Sequence, residues 1–78
     1  MINQLSKIKD KLYRFSLSIV KDTMVAEDVV QEVMIKVWKK KEELEGIQNF
    51  EAWCMTVTRN LCLDKLRRKK APMDRVED

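Results

Sequence analysis

The sequence predicts an all-α domain, a compact three-helix bundle. Three observations carry that prediction. Apolar residues step by three and four along most of the 78 residues. The chain holds one glycine and one proline, too few for a turn-rich β fold. Its composition is 45% hydrophobic and 37% charged, enough apolar surface to offset chain entropy, which excludes a disordered polyampholyte. A chain of this length makes one domain with a modest core.

The first helix follows from Leu5, Ile8, Leu12, Phe15 and Ile19, which place an amphipathic segment over about Asn3 to Val20. Lys21-Asp22-Thr23 is the joint. Asp22 or Thr23 can cap the second helix, and Glu27 and Asp28 complement its positive end. Ala26, Val30, Val33 and Val37 make its expected buried stripe, widened by Val29 and Trp38. Lys39-Lys40-Lys41 falls at the negative end of that helix dipole. Glu42 to Gln48 lacks a helical stripe and contains Gly46, so it reads as a loop with room for one short extra helical turn. Asn49 caps the third helix, with Glu51 in its first turn. Phe50, Cys54, Val57 and Leu61 form the expected core face, and Met55, Cys62 and Leu66 a second apolar strip. Ala71-Pro72 stops the helix, leaving 72–78 as a tail or the start of a linker.

The net charge is only +3, but its distribution is uneven. Arg59 to Lys70 holds six basic residues and one acid, whereas Asp22 to Glu32 holds four acids and no base. Two patches of opposite sign on one small domain suggest two different partners. Cys54 and Cys62 lie about 12 Å apart along one helix axis, too far for a disulfide, and read as core thiols of a reducing compartment. No stretch resembles a signal peptide or a membrane span. The chain has no histidine, no glycine-rich phosphate loop and no metal-ligand spacing, so neither enzyme chemistry, a cofactor nor a small-molecule substrate is expected.

Two surfaces stand out. On the second helix, Asp28, Gln31, Glu32, Ile35 and Lys39 recur on the face away from the valines. A solvated face explains the polar members but not Ile35. Acids and an amide around an exposed apolar side chain suit a basic partner helix. On the third helix, Trp53, Thr56, Asn60, Asp64 and Arg67 share one flank. Trp53 is either core or the wall of a base pocket. Asn60 either reads a base edge or joins a local hydrogen-bond network. Asp64 pairs with Arg67 or Arg68 at helical spacing. Arg67-Arg68-Lys69-Lys70 exceeds what dipole complementation needs, and phosphate contact is the better reading.

Three elements together resemble a known family: Asp28-x-x-Gln31-Glu32 within Ala26 to Trp38, Phe50-x-x-Trp53, and Asn60-x-x-x-Asp64-x-x-Arg67-Arg68. The chain is similar over nearly its whole length to region two of bacterial sigma factors, in the extracytoplasmic-function branch. Each element alone is weak, and their combination at these distances is specific. The resemblance implies a helical region-two domain over 1–71, bound to the clamp coiled coil of the RNA polymerase β′ subunit through Asp28, Gln31, Glu32 and Ile35. It implies recognition of the promoter minus-ten element, with non-template-strand bases flipped from the stack and captured. Gly46, Gln48, Asn49, Phe50, Trp53 and Asn60 would form or border the base pocket, and Arg67, Arg68 and Lys69 would hold phosphates. It also implies a bacterial cytoplasmic location and an anti-sigma factor as a further candidate partner. No catalysis is required of this chain.

The family continues into a second domain with a helix-turn-helix, whereas this sequence ends at the expected linker, so a piece of a longer protein is expected. Fewer aromatics between Phe50 and Arg59 than in primary sigma factors imply weaker intrinsic melting. Two other readings compete. A helical module for double-stranded DNA would prefer duplex and give Ile35 no role. A protein-interaction module would show no nucleic-acid binding at all.

Overall fold

The computed structural model describes residues 2–70, with side chains described from Leu5 to Arg68. The expected stop at Ala71-Pro72 and the tail 72–78 lie outside the described residues. Four helices fill the described span: α1 Ile2–Val20, α2 Thr23–Lys39, α3 Lys41–Leu44 and α4 Phe50–Lys70. The three long helices pack against one another, and α3 is a single turn against the end of α2.

Local chemistry sets the helix starts. The Asp22 carboxylate accepts from Met24 N–H at 2.9 Å and Val25 N–H at 3.2 Å, capping α2. The Asn49 amide oxygen accepts from Ala52 N–H at 3.0 Å, capping α4. Between α1 and α2, Lys21 adopts a φ of 56° while its N–H returns to Leu17 C=O at 2.9 Å, the left-handed C-terminal cap that lets the chain reverse at once. The Glu42–Gln48 segment is shorter as a loop than expected. Lys41–Leu44 forms the extra turn, closed by Leu44 N–H to Lys40 C=O at 2.9 Å and Glu45 N–H to Lys41 C=O at 3.0 Å.

The core is built from Ile8 and Leu12 with smaller side chains, mostly at four-residue spacing. Ile8, Leu12, Ser16 and Val20 are buried on α1, then Ala26, Val29, Val30 and Val33 on α2, then Cys54, Thr58 and Cys62 on α4. Such ridges let the helices approach closely and interdigitate. The expected stripe on α1 is displaced by one position at its end, because Phe15 and Ile19 sit at the margin while Ser16 and Val20 are enclosed. Phe50, Val57 and Leu61 likewise border the α4 core line and do not form its centre.

Trp38 corrects the sequence reading. It is 71% exposed and widens no buried stripe. At 100° per residue it lies about 140° around the helix from Val33, beyond the packed face. The Lys41 ammonium covers its ring instead, 4.5 Å from the centroid.

Thr58 is fully buried, and its Oγ1 has no hydrogen-bond partner among the described residues. A buried hydroxyl without a partner costs stability, and valine has nearly the same shape without it. Thr58→Val is therefore expected to stabilise the domain by about 1 kcal/mol in urea unfolding.

Candidate functional site

The outer face of α2 carries Asp28, Gln31 and Ile35 in the open, with Glu32 partly covered. Ile35 is 54% exposed, a large apolar group between acids on one side and Lys36 and Lys39 on the other. From α4, Lys65 reaches across to this face. Its ammonium lies 2.8 Å from Glu32 Oε2 and 3.0 Å from Asp28 Oδ2. These bonds hold the Lys65 pKa above its ordinary value, the bond to Glu32 first and that to Asp28 next. The same ammonium holds the Asp28 carboxyl below its ordinary value, chiefly through their hydrogen bond. Lys65 was legible in the sequence only as one of six cations. Its partners lie 33 residues away in the case of Glu32, and no local pattern announces them.

The second surface begins at the loop before α4. Gly46, Gln48 and Asn49 are exposed there. A Cβ built on Gly46 would meet nothing within 4 Å, so packing supplies no reason for a glycine at that position. Asn49 uses its amide oxygen in the α4 cap, which leaves the amide N–H groups as its free donors. Phe50 and Trp53 stack with ring centroids 6.5 Å apart and planes inclined by 12°. Both are half-buried and pack against the core, so Trp53 serves as core filler with part of its side chain still open to solvent. Asn60 is exposed two turns further along the same flank.

The cationic end of α4 is partly neutralised from within. Asp64 lies 3.1 Å from Arg68 and 4.0 Å from Arg67, the pairing its spacing suggested. Both guanidinium groups remain largely exposed. The Lys69 side chain lies outside the described ones. From Phe50 to Arg67 the helix axis runs about 25 Å, so no single nucleotide touches both the loop and the arginines. A shallow groove of about 280 Å³ separates the end of α4 from the α1–α2 joint, lined by Val20, Val25, Lys65, Leu66 and Arg68.

Cys54 and Cys62 are free, buried thiols. Burial pushes the Cys54 thiol up to about 11, with the Glu51 charge adding to the effect. Burial also raises Cys62, opposed by the Ser16 hydroxyl and the Lys65 charge. Folded values raised for both thiols and for Lys65 mean that the native state binds more protons than the unfolded chain at alkaline pH. The stability this contributes is complete below the ordinary thiol value of 9.0 and is lost as pH rises through the folded values. Thermal melts are expected to be flat between about pH 6 and 8 and to fall from pH 9 to 11. Cys54→Ala should make that alkaline slope shallower.

Among the described residues, no three acidic, cysteine or histidine side chains gather as a metal site, and no helix is long and apolar enough to cross a membrane.

Comparison with known proteins gives a consistent result. The family model for Sigma-70 region 2 matches residues 5–71. The ECF RNA polymerase sigma factor SigL of Mycobacterium tuberculosis is 37% identical over 57 residues, covering 72% of this chain and 32% of the relative. The ECF RNA polymerase sigma factor SigX of Bacillus subtilis is 31% identical over 65 residues, 83% of this chain and 34% of the relative. SigW of the same organism is 29% identical over 62 residues, 80% of this chain and 33% of the relative. The chain thus spans about a third of the length of these relatives. No solved structure gives a significant match.

Proposed function

This chain belongs to the Sigma-70 region 2 family, in its extracytoplasmic-function branch, and from that premise we propose that it acts in transcription initiation by joining RNA polymerase to an opened promoter. The outer face of α2, with Asp28, Gln31, Glu32 and Ile35, docks on the β′ clamp helices. The loop Gly46, Gln48 and Asn49, with Phe50, Trp53 and Asn60, captures unpaired non-template bases of the minus-ten element. Arg67, Arg68 and Lys69 hold the phosphate backbone. Residues 1–71 are the working unit, and a bacterial cytoplasm is where it operates.

The observation that carries the docking half is Ile35. A helix whose inner face is fully packed has no structural need for a half-exposed isoleucine amid polar neighbours, and a partner that covers it supplies one. Favouring the capture half is the separation of about 25 Å between loop and arginines, which fits a run of several nucleotides tracked along one helix. Energetically, opening the duplex costs a few kcal/mol per base, and stacking returns about 1–3 kcal/mol per captured base. Binding only the open form shifts the equilibrium toward it.

Fluorescence anisotropy with labelled oligonucleotides tests the capture half. The non-template single strand of a cognate minus-ten element should bind about tenfold or more tightly than its scrambled sequence or its duplex. Equal binding to the scrambled strand would reduce α4 to a nonspecific basic helix, and preference for duplex would favour insertion into the major groove.

A further inference from the structure

The Asp28 and Glu32 carboxylates face outward on the surface assigned to polymerase docking, yet each is already within hydrogen-bond distance of Lys65. The Lys65 side chain is only 21% exposed, while Asp28 is 58% and Glu32 37% exposed. Lys65 lines the groove with Leu66 and Val25, and its ammonium meets one oxygen of each acid, Asp28 Oδ2 and Glu32 Oε2, while both acid side chains stay more exposed than its own. With Lys65 in place the trio carries net charge −1 in place of −2, and a cationic helix arriving from outside meets acids that already have a cation.

We propose that Lys65 is a specificity-determining residue of the α2 face: it occupies the two carboxylates, and a basic partner helix docks by exchanging with its ammonium. This rests on the docking role given to α2 above. The physical consequence is selectivity. A stray cation gains little by replacing an ammonium that is already positioned and partly desolvated. A partner that also covers Ile35 gains apolar burial that a stray cation does not, and so can displace Lys65. Exchange has a second consequence. The freed ammonium stays on α4 beside Arg68, where the two line the same groove, and adds a cation to the helix end assigned to phosphates. Polymerase docking and strand binding are then coupled through one side chain, each favouring the other.

Calorimetric titration of a β′ clamp-helix fragment into wild type, Lys65→Met, Lys65→Gln and Lys65→Arg tests the proposal. Both neutral variants should bind roughly three- to tenfold more tightly at low salt, with a steeper loss of affinity as salt is added. Lys65→Arg should behave like wild type, which separates charge from packing. Lys65→Gln covers the case in which Lys65→Met misfolds, since it keeps a polar group near both acids. Wild-type binding with unchanged or weaker affinity in the neutral variants would overturn the role of Lys65 and leave the docking face intact. No binding by any form would overturn both.

Discussion

Ile35→Lys is expected to weaken binding to the β′ clamp-helix fragment by about 100-fold while leaving the melting temperature unchanged within a degree or two. Two effects add. A half-exposed isoleucine at the centre of an interface is the kind of residue whose removal costs about 2 kcal/mol or more. A lysine in its place sets a like charge against a basic partner and raises the cost of association. Folding should tolerate the change, because Ile35 lies outside the core cluster and lysine is at least as good a helix former as isoleucine. Titration calorimetry paired with circular-dichroism melts reads both quantities. Unchanged affinity would remove Ile35 from the interface, and a large fall in melting temperature would make it structural.

Leu12→Ala is expected to destabilise the domain by about 2–5 kcal/mol, enough to abolish cooperative unfolding in a domain this small. Leu12 is the largest of the fully buried side chains, and truncating it leaves a cavity in the core that the surrounding structure fills only in part. Phe15→Ala is the informative companion. Hydrophobic periodicity alone ranks both residues as core, but Phe15 sits at the margin and should cost clearly less despite its larger volume. Urea unfolding followed at 222 nm measures the two directly. A Phe15 effect equal to that of Leu12 would mean that the α1 face is rotated from its place in the structure.

The features legible in the sequence were those with local causes. Asp22 and Asn49 announce helix starts because their side chains bond amides two or three residues onward. The Asp64 pairs with Arg67 and Arg68 lie within one helical turn of each other and were equally visible. What escaped depends on tertiary placement. Trp38 adjoins the valine stripe in sequence and so reads as part of it, but its angle on α2 points it past the packed face. Thr58 is polar, and the one sequence signal of its burial is its position between Cys54 and Cys62 at four-residue spacing. The short extra turn expected before the third helix is present at Lys41–Leu44, but it has no buried residue, so no apolar stripe marks its bounds in the sequence. Lys65 joins elements that meet only in the fold, and its spacing within α4 says nothing of Asp28 or Glu32.

The site residues divide along the same line. Their grouping into an α2 face and an α4 flank follows from helical spacing and was readable in advance. Their states of engagement were not. Asp28 and Glu32 are held by Lys65, Asn49 is committed to a cap, and Arg67 and Arg68 share Asp64. Each engagement changes what the residue has left to offer a partner, and only three-dimensional placement reveals it.

The most direct test is an amide NMR map of the domain titrated first with the β′ clamp-helix fragment, then with the non-template minus-ten strand in the same tube. The expected result is two distinct sets of shifted signals, one around Asp28 to Ile35 and one spanning Gly46 to Trp53, Asn60 and Arg67 to Arg68, with the fragment still bound when the strand is added. A single shared set, or release of one ligand by the other, would contradict the assignment of polymerase and promoter to separate surfaces of this domain.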